Sequence, residues 1–247
     1  MHYRAEGSGP LLVYVAGLDG TGQLFFKQSP RLTPHYRVVT FRSRDYGEFT
    51  YDDLTGDLAA IIRDLGEHKA TIVGESFGGT VALNFALRYP QMVERLVVVN
   101  SFPRFRKRLT IGLGIRLSSG MFSTLWPLRR AANRLGLAID GVSSADRERF
   151  WTAIRTVSAE AYTQRLRLIG QLDLDLRLGE IQVPTLFISG DRDLLVPSVK
   201  EAQMMAARMP NARVKIVTGA GHACLLGNLV RLDDLLIESK DPADVAT

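Results

Sequence analysis

The chain has a single cysteine, Cys224, among 247 residues, so no intrachain disulfide can form. Without a Cys-x-x-Cys pair or a Cys/His cluster, no structural metal site is expected. The opening Met1-His2-Tyr3-Arg4-Ala5-Glu6-Gly7 lacks the apolar run of a secretory signal. Long apolar runs are missing elsewhere too. The most apolar stretch, 109–128, is broken by Gly112, Gly114, Arg116, Gly120 and Pro127, whereas a membrane span needs about 20 mostly apolar residues. A buried or interfacial helix is expected there, and a cytoplasmic location for the chain. Histidine is scarce as well: His2, His35, His68 and His222 are all there are.

What is present is an ordinary globular balance, 46% hydrophobic and 23% charged. The length suits one good-sized core, or a core with a small accessory part. The net charge of +5 is unevenly spread. Residues 101–180 hold 14 Lys/Arg and 7 Asp/Glu, a net of +7. The rest keeps 17 of the chain's 31 basic and 19 of its 26 acidic residues, a net of −2. A solvated basic surface explains this most simply. The sharper alternative is attraction to anionic substrates, or transient contact with an anionic lipid surface. No nucleic-acid partner is expected, because the cluster at Arg104, Arg106, Lys107 and Arg108 stands without a binding motif.

Apolar runs at 11–15, 37–41, 70–73 and 96–99 alternate with helical periodicity over 52–65 and 80–88. Uniformly apolar strands between helices predict a mostly parallel sheet covered on both faces, an α/β fold. After Phe102 the pattern changes to helical runs with Gly and Pro breaks. Alternation returns with a strand at 185–189, a helix at 197–209, a strand at 213–217 and a helix over about 225–237. The core is therefore read as 1–102 plus 181–247, with 103–180 inserted as a helical cap. An insert that follows a sheet strand emerges at the carboxyl edge, where open α/β sheets bind ligands.

Gly74-Glu75-Ser76-Phe77-Gly78-Gly79 fits G-x-S-x-G between a β-run and a helical run. That context is what a nucleophile elbow requires, with Ser76 exposed on a strained turn. A serine hydroxyl needs a base to take its proton. In the order nucleophile, acid, histidine, His222 alone follows Ser76, in Gly219-Ala220-Gly221-His222 after the last strand. The acid is sought after the strand at 185–189. Asp193 is chosen there, with Asp191 as the alternative that serves the turn. The other known position, after the preceding strand, holds Asn100-Ser101 and offers no carboxylate. The oxyanion hole is assigned to the backbone N–H groups of Phe77 and Leu18, the latter in Ala16-Gly17-Leu18-Asp19-Gly20-Thr21-Gly22. The spacing of those glycines fits neither a phosphate loop nor a dinucleotide fingerprint, and no cofactor is expected.

Together, Ala16-Gly17, the elbow, Gly190-Asp191-Arg192-Asp193 and Gly219-Ala220-Gly221-His222 resemble the α/β-hydrolase superfamily, as does the lead-in at 3–10. The usual His-Gly after the first central strand is Ala16-Gly17 here, which keeps the backbone donor. The short N-terminus implies fewer than the usual eight strands. More narrowly, Gly17-Leu18-Asp19-Gly20-Thr21-Gly22 with the elbow is similar to a branch of esterases, thioesterases and phytyl ester synthase-like acyltransferases. The resemblance implies a serine hydrolase acting on a small-molecule ester, or a thioester, with an apolar acyl or alcohol group. Leu113, Met121, Phe122, Leu125 and Trp126 are the pocket candidates, although they could equally pack the cap onto the core. The same triad could serve acyl transfer, lactone opening, carbon–carbon hydrolysis or haloperoxidation, and a non-catalytic receptor could retain it. The oligomeric state is not legible.

Overall fold

The computed structural model describes residues 2–106 and 142–238. Among them, seven strands form one sheet in the order β1-β3-β2-β4-β5-β6-β7. The strands are β1 (Tyr3–Glu6), β2 (Leu11–Val15), β3 (Arg37–Phe41), β4 (Ala70–Glu75), β5 (Val93–Val99), β6 (Thr185–Gly190) and β7 (Ala212–Val217). All neighbouring pairs are parallel except β1 with β3. The helices are α1 (Ser29–Leu32), α2 (Tyr51–Asp64), α3 (Phe77–Arg88), α4 (Ser144–Arg155), α5 (Ala159–Gln171), α6 (Ser198–Ala206) and α7 (Leu232–Glu238). This is the α/β-hydrolase architecture that the sequence resemblance implies.

The central strands are buried along their length because both faces are covered. Alternate residues of β2 divide between two cores. Leu11, Val13 and Val15 pack with α2, α3 and α6; Leu12 and Tyr14 pack with α1 and α7. The edge strands β1 and β7 hold only exposed and half-buried residues. β1, read from the sequence only as a lead-in, carries too little apolar signal to register as a strand. Helix α2 starts at a capping box in which Thr50 and Asp53 exchange side-chain-to-backbone bonds.

The largest departure from the expected boundaries is at the last helix, beside shifts of up to three residues at β5, α3 and α6. The last helix begins at Leu232 rather than near Leu225. Residues 224–226 form a single 3-10 turn, and Gly227 is extended at φ −84° and ψ −178°. Leu225 and Leu226 are buried nevertheless, so helical spacing there reflects burial and not a helix.

Between β5 and β6, the described part of the insertion supplies α4 and α5. A third cluster joins α4 to the core, where Val142, Phe150, Trp151 and Ala153 meet Leu24 and Leu226, while Ala161, Leu166, Leu168 and Ile169 of α5 join the core cluster of α2, α3 and α6. Lys27 pairs with Asp146 at 2.7 Å, and Arg42 donates to Thr156. Among the described residues, no helix is long and apolar enough to cross a membrane.

Candidate active site

Ser76 stands between β4 and α3 at φ 54° and ψ −119°, a backbone conformation costing about 1–3 kcal/mol for a non-glycine residue. The surroundings hold it there. Its N–H donates to the Val99 carbonyl at 2.9 Å, and its carbonyl accepts from Gly79 N–H at 3.0 Å and Ser101 Oγ at 2.7 Å. The turn leaves no space for side chains on its flanks. A Cβ at Gly74 would lie 2.5 Å from the Gly78 carbonyl oxygen, and one at Gly79 would lie 2.5 Å from the Ser101 side chain. Small residues around the serine are therefore a steric requirement.

The loop after β7 brings His222 back over this turn. His222 Nε2 lies 2.9 Å from Ser76 Oγ, and His222 Nδ1 lies 2.7 Å from Asp193 Oδ2. The Asp193 carboxylate is saturated with partners. Oδ2 also accepts from Ser198 Oγ, and Oδ1 accepts from the N–H groups of Leu195 and Val196 at 2.9 and 3.0 Å. Burial alone would raise this carboxyl, but bonds from His222, Ser198 and Val196 outweigh it and hold Asp193 below the usual carboxylate range. Asp191 does something else: its Oδ1 accepts from Gly219 N–H at 2.7 Å, tying the β6 loop to the histidine loop. Of the two aspartates weighed from sequence, Asp193 is the one in contact with His222.

Sequence reasoning missed the residues that hold this loop. Asn100, at φ 46°, donates through Nδ2 to the carbonyls of His222 at 2.6 Å and Gly221 at 3.0 Å. Its Oδ1 accepts from Gly190 N–H at 2.9 Å. It thus clamps the acid-bearing and histidine-bearing loops together from the end of β5. An amide at the strand end, where a carboxylate was sought, was the available signal.

A second buried acid lies beside the triad. Glu75 accepts from Tyr14 Oη at 2.7 Å through Oε2, while its Oε1 has no hydrogen-bond partner among the described residues. Burial, reinforced by the Asp19 and Asp193 carboxylates and opposed by Tyr14 and His222, raises Glu75 to about 7. Burial likewise pushes the Cys224 thiol well up, so it packs as an apolar group and not as a nucleophile.

Phe77 opens α3, where its N–H has no acceptor within the helix. Among the described residues, the Leu18 N–H donates to no backbone carbonyl. Leu18 borders a cavity of about 120 Å³ that also reaches Ser76 and His222. Its apolar walls come from the insertion through Phe150, Ile154, Val157 and Tyr162, and from the core through Leu24 and Leu226. The pocket candidates Leu113, Met121, Phe122, Leu125 and Trp126 lie outside the described residues. Chemically, such an arrangement can deprotonate a hydroxyl in a water-poor pocket and offer backbone donors to a developing oxyanion.

Known proteins are similar to this chain over most of its length. A family model described as the alpha/beta hydrolase family matches residues 12–231. The chain is 30% identical over 256 residues to a pimeloyl-[acyl-carrier protein] methyl ester esterase of Xanthomonas oryzae pv. oryzae, covering 96% of this chain and 97% of that one. It is 29% identical over 244 residues to a putative carbamate hydrolase RutD of Serratia proteamaculans, covering 92% and 90%. The crystal structure of a bromoperoxidase from Bacillus anthracis superposes with a TM-score of 0.85 at 23% identity, covering 97% and 95%, which is a likeness of fold. These comparisons support a hydrolase as the coarse activity. The chain belongs to the alpha/beta hydrolase family.

Proposed function

We propose that this protein is a serine hydrolase that cleaves carboxylic esters of apolar acyl groups through an acyl-enzyme on Ser76. The observation that carries this reading is the continuous relay from Ser76 Oγ through His222 to Asp193, opening into an apolar cavity.

In the first step Ser76 Oγ attacks the acyl carbonyl and its proton passes to His222 Nε2. Asp193 holds Nδ1–H and stabilises the imidazolium. The Leu18 and Phe77 amides receive the oxyanion. His222 then protonates the departing alkoxide, leaving the acyl group on Ser76. Water, deprotonated by His222, attacks the acyl-enzyme, and a second collapse breaks the bond to Ser76 Oγ, which takes the proton back from His222 as the acid is released. All of these groups belong to core loops, while 103–180 serves as a cap whose α4 and α5 exclude water from the reacting centre.

The two relatives named as an ester hydrolase and a carbamate hydrolase share a substrate feature. Both names describe a carbonyl bearing a heteroatom leaving group, which this relay would serve equally. The cavity, at about 120 Å³, is small beside the roughly 300–1,000 Å³ of drug-sized sites. Short acyl groups are therefore the preferred class.

The test is a chain-length series of p-nitrophenyl esters and matching thioesters and carbamates, run on wild type and Ser76→Ala. Loss of the nucleophile should lower kcat by about 10,000-fold or more. Turnover that survives the substitution would overturn the assignment. Added alcohol that captures the acyl group ahead of water would redirect it to acyl transfer.

A further inference from the structure

The largest fully buried side chain in the described structure is an arginine, and the reaction above does not use it. Arg165 lies on α5 of the insertion with no measurable exposure. Among the described residues it forms no ion pair. Its guanidinium instead donates to three backbone carbonyls: Nη1 to Leu18 at 3.0 Å and Asp19 at 3.3 Å, and Nη2 to Arg44 at 2.8 Å. Its Nε has no hydrogen-bond partner among the described residues. Two of the three acceptors belong to the loop after β2, which borders the cavity at Leu18.

That loop is shaped around the guanidinium. Gly20 adopts φ +62°, and a Cβ there would collide with the Arg165 guanidinium. The turn closes through Gly20 N–H to the Gly17 carbonyl at 3.0 Å. The Asp19 carboxylate accepts from the Thr21 N–H at 2.8 Å and the Thr21 hydroxyl at 2.6 Å, and its charge favours the Arg165 cation without a direct ion pair. The Leu18 and Asp19 carbonyls are left to the arginine. A desolvated cation whose direct partners are carbonyls, with the Asp19 and Asp45 carboxylates acting only at a distance, is a costly way to dock a helix, which an apolar residue would do as well. A planar fork that bridges peptide groups fixes their orientation, which an apolar residue could not do.

We propose that Arg165 is a positioning residue: by anchoring the Leu18–Asp19 and Asp19–Gly20 peptides it fixes the turn whose preceding Gly17–Leu18 peptide presents its N–H to the oxyanion, so that α5 of the insertion supports an oxyanion hole otherwise built by the core. This rests on the serine-hydrolase reading. It assigns the insertion a part in transition-state stabilisation in addition to shaping the pocket. Its effect should fall on kcat, because the substrate's ground-state carbonyl gains less from the hole than the tetrahedral intermediate does.

The experiment begins with wild type, labelled with a fluorophosphonate and assayed on a short p-nitrophenyl ester. Arg165→Ala and Arg165→Lys are then compared with it by kinetics, thermal melting and inhibition by a trifluoromethyl ketone, which mimics the tetrahedral adduct. Arg165→Ala should lower kcat by about 10- to 100-fold, less than the roughly 100- to 1,000-fold of deleting a donor outright. KM should change little. Ketone affinity should weaken in step with kcat/KM, and guanidinium ion at millimolar concentration should restore part of kcat. Arg165→Lys, which keeps the charge but not the fork, should fall between the two. Should the alanine variant not fold, the lysine variant carries the test through its kcat and ketone affinity. A folded variant with unchanged kcat overturns the proposal. So does a lowered kcat with unchanged ketone affinity and no guanidinium rescue, which would mark a packing role. Failure of wild type to label at Ser76 would instead remove the hydrolase reading, and this inference with it.

Discussion

The core and the insertion solve different problems with different residues. The core places Ser76, Asp193 and His222 on three loops at the carboxyl edge of β4, β6 and β7, each loop pinned by backbone and side-chain bonds. The insertion offers the site mostly apolar area, from Phe150, Ile154 and Val157, with Arg165 as its buried polar group beneath the Leu18 loop. The core thus sets which bond-making chemistry is available. On the proposed function, the insertion sets which acyl groups enter and, with Arg165 in the role inferred for it, how well the oxyanion is held. Substitutions in the two regions should accordingly differ in kind.

The largest effect should come from the core. Asp193→Asn leaves the shape intact but takes away the acceptor that fixes the His222 tautomer, so kcat should fall by about 1,000- to 10,000-fold with KM little changed. Steady-state kinetics on the same ester series checks this, and a loss under tenfold would break the contrast. The next effect belongs to the insertion. Phe150 is 2% exposed and joins the cavity wall to the cluster that docks α4. Phe150→Ala should cost about 3 kcal/mol of stability and shift the preferred acyl length upward, with kcat on the best substrate held within a few-fold. Thermal melting and the chain-length profile report both. If the loss fell on kcat for every substrate alike, the division between regions would be wrong.

The smallest effect concerns the buried carboxyl beneath the triad. Glu75 is held protonated up to about 7 against an ordinary value of 4.5. The folded state therefore binds a proton that the unfolded chain has released. Stability contributed by the neutral form is present at low pH and declines as pH rises from about 4.5 through about 7. The full penalty above that window is on the order of 3 kcal/mol. Glu75→Gln removes the titration, so its melting temperature relative to wild type should be several degrees more favourable at pH 8 than at pH 5. Parallel pH profiles for the two proteins would show that Glu75 does not titrate in this window.

How much could be read from sequence follows the same division. The elbow was legible because the geometry needs glycines at fixed positions around Ser76, and such steric needs are local. The parallel strands were legible because burial on both faces makes them continuously apolar. β1 was not, since an edge strand with one covered face and charged residues resembles a loop. Asn100 was weighed only as a missing carboxylate. Its role depends on Gly221 and His222 arriving from more than a hundred residues away. Arg165 left a fainter trace. It falls in line with Ala161 and Ile169 at helical spacing, a charged residue inside the buried stripe of α5. That the stripe faces the loop after β2 is a fact of tertiary packing, which periodicity cannot supply.

The central claim is that Ser76 carries the acyl group between two half-reactions, and trapping that intermediate tests it most directly. Wild-type protein mixed with a short p-nitrophenyl ester and quenched in acid within the first turnover should gain the mass of one acyl group, located to Ser76 by peptide mapping. A burst of nitrophenolate should match it in amount. Nitrophenolate release with no acyl adduct, or an adduct on any other residue, would contradict the account.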